Sequence, residues 1–191
     1  MKNKNKTVWG HRFNNHTSKT FENIGSSIDV DKRLFEEDIF GSIVHTNMLV
    51  KQKIISKKIG KKIINGLKKI RGEIRRNKFK FNKKYEDIHL NIEKRLFSII
   101  GQDAGYLHIA RSRNDQVITD FKLWIKKSSN QIINNLDNLI KSFLKKSEGN
   151  IETIMPGFTH LKNAQPISSK IFYVVLLNLV PQTALFLFFM C

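Results

Sequence analysis

Apolar residues recur every three or four positions along most of this sequence, and that spacing constrains the fold more than any other feature. The longest such run extends from Ile118 to Phe143 without an internal proline or glycine, which is typical of a helix inside a bundle. Shorter runs cover residues 35–50, 59–74 and 88–99. No stretch alternates apolar and polar residues in the way that a half-buried strand requires. The pattern therefore predicts an all-α chain.

Local signals indicate where these helices begin and where the chain turns. Ser56 stands before the second run as a helix cap. Ser112, followed three positions later by Asp115, resembles a capping box at the start of the longest run. Pro156 and Gly157 predict a turn before a new segment.

The composition changes abruptly near the end of the sequence. From Ile171 to Cys191 no residue is charged, whereas 26% of the whole sequence is charged. Polar residues interrupt this apolar run, so a membrane tail is the weaker interpretation. We expect a small helical domain over 1–110, the start of a long-helix bundle domain over 111–168, and an atypical apolar tail over 169–191.

The formal net charge of +18 admits a second function, a basic helical module that binds nucleic acid through residues 51–84. Glu73 is the single acid in that segment. Its lysines, however, fall between apolar residues at helical spacing, which is the pattern of a solvated face, and no aromatic residue before Phe79 could stack on a base. We favour the solvated face and keep nucleic-acid binding as the alternative.

The remaining composition limits the kind of protein this can be. Cys191 is the only cysteine, so no disulfide can form within the chain, and no cluster of cysteine and histidine has the spacing of a metal site. The opening residues, MKNKNKTVWG, lack the apolar run of a secretory signal. We expect a cytoplasmic protein without a metal site.

The first polar cluster, HIARSRNDQ at residues 108–116, crosses a predicted helix start. Free amide hydrogens and the positive end of the helix dipole favour an anion at such a place. Arg111 and Arg113 could pair with the carboxylates of a ligand. A capped helix with solvated arginines explains the same residues, and residue type alone does not choose between the two.

Two further clusters contain histidine. His160 lies in PGFTHL at residues 156–161, beside the hydroxyl of Thr159, and a histidine in a rigid turn can carry a proton near neutral pH. Asp87 and His89 lie at the start of another amphipathic helix. A structural histidine in the first case and a simple helix start in the second are the competing explanations.

Taken together, these clusters resemble the argininosuccinate lyases of the aspartase/fumarase superfamily. The segment RSRNDQ at 111–116 is the most specific match, and the order and spacing of all the matching segments agree over about residues 8–168. The other four are WGHRF at 9–13, SSIDVDKRLFEEDI at 26–39, EDIHLNIEKRL at 86–96 and PGFTHLKNAQP at 156–166.

The resemblance implies a small-molecule substrate and a reaction that needs no cofactor. Argininosuccinate would undergo β-elimination to arginine and fumarate, a step of arginine biosynthesis. A base removes a proton next to a carboxylate, the carbanion is stabilised as its aci-carboxylate, and an acid assists departure of the guanidinium nitrogen. By position, the substrate-binding residues are Ser27, Asn114 and Thr159, the residues lining the same cleft are Arg113 and His89, and the proton-transfer residue is His160.

The family also has features that these 191 residues do not contain. Its catalytic serine lies on a flexible GSSxMPxKxN loop, and no such segment occurs in this sequence. Residues 169–191 resemble nothing in the family, which together with their change of composition indicates that the bundle domain is truncated by a frameshift or a shortened gene. Its active sites combine three regions from three subunits of a homotetramer. We therefore expect a homotetramer only from a full-length protein, no lyase activity from this chain alone, and neither a nucleic-acid nor a membrane partner.

Overall fold

A computed structural model describes residues 24–178 of the chain together with Ser18 and Thr20. Within residues 28–148 five α-helices follow one another, and a two-stranded antiparallel hairpin comes after them. Their bounds are α1 Ile28–Asp31, α2 Phe35–Lys51, α3 Lys57–Arg75, α4 Ile88–Ile100, α5 Arg113–Glu148, β1 Ile154–Thr159 and β2 Lys162–Ser168. Short 3-10 turns occupy Lys32–Leu34, Lys83–Tyr85 and Gly101–His108, and residues 169–178 are again helical.

The described chain divides into two compact units, one ending at Phe121 and the other beginning at Lys122. The hydrophobic core of the first unit is formed by the predicted apolar faces of α2, α3 and α4. Its fully buried members include Ile39 and Leu49 on α2, Ile63, Leu67 and Ile70 on α3, and Ile88, Ile92 and Leu96 on α4. The three shorter helical runs of the sequence are thereby confirmed.

Two glycines allow α3 to approach both of its neighbours closely. A Cβ atom added to Gly60 would lie 2.3 Å from a methyl group of Val50 on α2. One added to Gly66 would lie 2.5 Å from a methyl group of Leu96 on α4. Because the interior is close-packed, α3 must carry a bare backbone at these two contacts.

The predicted helix starts and the solvated face of α3 agree with the structure. The Ser56 hydroxyl accepts a hydrogen bond from the Ile59 amide at 3.3 Å, which caps α3. Helix α5 begins at Arg113, directly after Ser112. The lysines of α3 are exposed to solvent while its apolar residues face the core.

The hairpin corrects the prediction that the chain contains helices only, although the protein is mostly helical as expected. Pro156 and Gly157 do not form the turn; they lie inside β1, next to a break in the strand register between Pro156 and Phe158. The turn falls instead at His160 and Leu161, both with positive φ. Most hairpin residues are exposed on both faces, so the sequence carries no alternation that would reveal strands.

The second unit contains the hairpin and the helical residues 169–178. Residues 179–191, which include most of the predicted apolar tail, lie outside the described residues, as does the WGHRF segment at 9–13. Among the residues that the structure describes, no helix has the length and apolar content needed to cross a membrane.

We predict that replacing Leu67 with alanine destabilises the first unit severely. Leu67 is fully buried between α3 and its neighbours, and truncating a buried leucine costs about 2–5 kcal/mol through lost contacts and the cavity left behind. The adjacent Lys68→Ala, on the exposed face, should change the free energy of unfolding by less than about 0.5 kcal/mol. Urea unfolding followed by circular dichroism measures both, and equal effects would contradict this packing.

Candidate active site

Ser27, a predicted substrate-binding residue, lies directly before α1 and is exposed. Its hydroxyl donates to the Asp31 carboxylate at 2.6 Å. Its backbone amide and that of Ile28 both donate to the Glu86 carbonyl, at 2.9 and 3.0 Å. Although almost sixty residues separate them in sequence, the loop before α1 is therefore attached to the segment that leads into α4.

The attachment depends on an unusual backbone conformation at Glu86. This residue has φ 60° and ψ −63°, which a side chain with a Cβ atom rarely adopts, and such a conformation costs on the order of 1–3 kcal/mol. It turns the Glu86 carbonyl towards the two amides of the Ser27 loop. Asp87 then caps α4 by accepting a hydrogen bond from the Leu90 amide at 2.6 Å.

Arg113, at the first position of α5, connects that helix to α4. Its guanidinium donates to the Glu93 carboxylate at 2.8 Å and to the Gln116 side chain at 3.0 Å, and it lies 3.9 Å from the Asp87 carboxylate. Asn114, the next residue, is exposed. The structure thus brings the segment around residues 86–93 together with the segment around 113–116, as a shared cleft would require.

His89, the other residue predicted to line the cleft, is almost completely buried, with 1% of its surface exposed. Its Nδ1 atom lies 3.0 Å from an Asp38 carboxylate oxygen on α2 and 3.5 Å from an Asp120 oxygen on α5. It forms the centre of a buried polar cluster, and the part that it plays in a cleft stays a prediction.

Thr159 and His160 belong to the second unit. Thr159 is the last residue of β1, and His160 opens the hairpin turn with φ 49°. Both side chains are exposed. His160 therefore lies in a turn, as expected, and its ring is free to reach a ligand, whereas Ser27, His89, Arg113 and Asn114 are all part of the first unit.

The buried cluster around His89 contains residues that the sequence interpretation missed. Asp38, Gln116 and Asp120 are all at least 97% buried. The Gln116 amide donates to the same Asp38 oxygen that faces His89, and the Arg111 guanidinium donates to Ser42 Oγ at 2.8 Å. The sequence did contain an indication of this cluster. Asp38 and Ser42 are four residues apart, as are Gln116 and Asp120, so each polar pair lies on one face of its helix.

Burial and the neighbouring charges shift the pKa values of this cluster in different directions. Burial and the negative charge of Asp38 raise the pKa of Asp120 to about 7. Burial also acts to raise the pKa of Asp38, but the hydrogen bond and positive charge of His89, with Gln116 and Arg111, outweigh it and lower that pKa. Burial acts to lower the pKa of His89, and its bond to Asp38 outweighs that and raises it. Both shifts favour a positively charged His89 beside an ionised Asp38.

The same three side chains are the one group among the described residues whose geometry could offer ligands to a metal ion. One atom each from Asp38, His89 and Asp120 lies within 4.8 Å of the others. The Asp38 oxygen that faces the group already accepts hydrogen bonds from His89 and Gln116, and Arg111 adds a positive charge nearby. Hydrogen bonding and protonation account for this arrangement without a cation.

A sequence model of the protein family described as "Lyase" matches residues 11–172 of the chain. The chain belongs to this lyase family. The argininosuccinate lyase of Pelagibacter ubique is 64% identical over 169 residues, which are 88% of this chain and 37% of that protein. The argininosuccinate lyase of Ehrlichia chaffeensis is 53% identical over 161 residues, 84% of this chain and 34% of that protein.

The fold of this lyase chain is also found among solved structures. An EDDS lyase crystallised with formate superposes with a TM-score of 0.69 at 21% identity, covering 85% of this chain and 31% of that one. Likeness at this identity shows the fold alone. The chain spans just over a third of the length of the curated relatives that it matches.

We predict that the buried carboxyl of Asp120 makes the lyase chain less stable as the pH rises. Its pKa is near 3.9 in an unfolded chain and about 7 in the folded one, so the folded state binds more protons between these values. The contribution of the Asp120 carboxyl to the free energy of unfolding is therefore fully present below about pH 4. It is lost as the pH rises through 7, by up to about 1.4 kcal/mol per pH unit. Asp120→Asn should remove this loss.

Urea unfolding at several pH values between these limits measures the effect. Asp137→Asn is the matched control, since Asp137 is an exposed carboxylate on the same helix. If the free energy of unfolding changed with pH in the same way for the wild type and for Asp120→Asn, the assignment of a proton to Asp120 would be contradicted.

Proposed function

We propose that this chain supplies part of an argininosuccinate lyase, which splits argininosuccinate into arginine and fumarate without a cofactor. The observation that carries the proposal is the 64% identity over 169 residues to the argininosuccinate lyase of Pelagibacter ubique. Such an enzyme acts on small soluble metabolites of arginine biosynthesis, so we also propose that the protein is cytoplasmic.

The start of α5 supports a carboxylate-bearing substrate. The first amides of a helix are free to donate hydrogen bonds, and the helix dipole makes this end positive. Arg113 is the first residue of α5 and the exposed Asn114 is the second. Because Glu93 holds the Arg113 guanidinium at 2.8 Å, this charge has a defined position before any ligand arrives. We propose that Asn114 and Ser27 contact substrate carboxylates and that Arg113 orients the cleft around them.

The hairpin turn supplies the proposed proton carrier. In this mechanism His160 exchanges a proton with the substrate during the elimination, and Thr159 holds the substrate beside it. An exposed imidazole that follows directly on the end of β1 is anchored at its backbone and free at its ring. A positioned histidine of this kind is a common general acid or base.

We further propose that the active protein is a homotetramer whose sites are shared between subunits. The proposed site residues fall into two compact units, and a shared site does not require that the two units of one chain meet. Helix α5 is 36 residues long and carries large apolar side chains that are about half exposed. Large apolar side chains exposed along one helix are common at interfaces. These side chains are Ile118, Phe121, Ile132 and Leu139.

The proposal is tested with a chimera in which residues 1–168 replace the matching part of the Pelagibacter ubique relative. We expect the chimera to release fumarate from argininosuccinate, because this chain then supplies its proposed binding residues alongside the remainder of the relative. The 191-residue chain alone should release none. A folded tetrameric chimera without activity would overturn the proposal, as would fumarate release by the 191-residue chain at ordinary enzyme rates. Ultraviolet absorbance follows the product.

We predict that His160→Asn in this chimera lowers kcat far more than it changes KM. A positioned proton carrier contributes roughly 100- to 10,000-fold to the rate, and a group that acts only in the transition state appears in kcat. Asparagine tolerates the positive φ of this turn, so the hairpin should persist. The control is Leu161→Asn, at the other positive-φ position, with an expected effect below tenfold. Similar kcat values for the two variants would show that His160 does not transfer a proton.

A further inference from the structure

The buried polar cluster connects the elements that carry the proposed binding residues. Asp38 comes from α2, His89 from the first turn of α4, and Gln116 and Asp120 from the first two turns of α5. Ser27 is attached to the residues just before α4, and Asn114 precedes Gln116 by two positions. A rearrangement in the cluster would therefore displace both segments of the proposed site.

Asp120 is the member of the cluster whose protonation state can change. No residue that the structure describes donates a hydrogen bond to either of its carboxylate oxygens, and the side chain is completely buried. A buried carboxylate without donors is costly, whereas the protonated acid is not. The protonated group can also donate to the neighbouring Asp38 carboxylate. One proton thus satisfies both carboxyl groups. Without it, two negative charges would lie within 4.8 Å of each other in a buried site, which is energetically unfavourable.

The charged groups around Asp38 and Asp120 determine how the cluster would respond to loss of this proton. His89 faces it from α4, with Nδ1 at 3.0 Å from Asp38 and 3.5 Å from Asp120. Arg111 faces it from the segment before α5, while the charges of Asp87 and Asp31 lie close to His89. An ionised Asp120 would repel Asp38 and compete with it for the proton on His89 Nδ1. The Asp38 contacts that hold α4 and α5 together would then weaken.

We propose that Asp38 and Asp120 share a single buried proton, and that release of this proton to solvent shifts the starts of α4 and α5 and with them the residues around the proposed binding site. In this role Asp38 and Asp120 are positioning residues, which act on the substrate through His89, Gln116 and the helices that carry them. The effect of this displacement on catalysis rests on the proposed lyase function, whereas the existence of the shared proton is independent of that function.

The test uses nuclear magnetic resonance of the isotope-labelled 191-residue chain, without substrate. We expect the Asp120 carboxyl to titrate with a midpoint of about 7, some three units above an ordinary aspartate. The amides of Leu90 and Asn114 should shift with the same midpoint, because the cluster moves both helix starts. A structural role without proton release would leave these amides unchanged over this range.

Two variants sharpen the comparison. Asp120→Asn imitates the neutral acid, so the common step should disappear and both amides should keep their low-pH positions. Asp137→Asn, on the exposed part of α5, should leave the step intact. If Asp120→Asn does not fold, the wild-type titration still decides the question.

Three results would overturn the proposal. An Asp120 carboxyl that titrates in the ordinary acidic range would exclude the shared proton, and amides that do not follow it would exclude the positioning role. A titration that changes when Zn²⁺ alone is added would make the cluster a cation site instead. None of these outcomes depends on fumarate release by the chimera, so a failure here is distinguishable from a failure of the proposed function.

Discussion

The buried contact between Asp38 and His89, at 3.0 Å, ties the first unit together at its polar centre. Both side chains are 1% exposed, so water does not contribute to solvating either charge. Removing one partner would leave the other charged and unpaired, which typically costs 3–5 kcal/mol or so. The pair also joins α2 to α4. Any arrangement of these helices that separated the two side chains would carry that cost.

The same contact explains why the proposed binding residues lie where they do. Asp38 also accepts a hydrogen bond from Gln116, which in turn accepts one from Arg113, and Arg113 pairs with Glu93 on α4. A continuous series of hydrogen bonds thus runs from the buried pair to the exposed start of α5. Polar networks that are fully satisfied are rigid, and rigidity is what a binding cleft needs before its ligand arrives. Asp120 lies beside this series, and no residue that the structure describes donates a hydrogen bond to its carboxyl group.

The proposed binding residues came from the family resemblance and stay predictions, whereas the buried cluster beside them was found only in the structure. The motifs at 26–39, 86–96, 111–116 and 156–166 pointed to Ser27, Asn114, Arg113 and the two histidines, and the structure brings the first-unit segments together. Asp38 and Asp120 were not foreseen. Their spacing marks a face of a helix, but a polar residue on a helix is ordinarily solvated, and nothing in a single sequence shows that two such faces turn inward towards one histidine.

The sequence by itself determined the helices and their boundaries. Apolar residues at three- and four-residue spacing specify which face is buried, and caps such as Ser56 act within four residues of the chain, so both can be read locally. Only the tertiary structure decided the hairpin and the charge states. A Cβ atom added to Gly157 would lie 2.6 Å from the Gln165 carbonyl oxygen. Only a bare backbone therefore fits at this position, and Gln165 is known as its neighbour only after the strands have paired. Likewise, the pKa of Asp120 near 7 depends on burial and on the charge of Asp38, which is 82 positions away in the sequence and adjacent only in the fold.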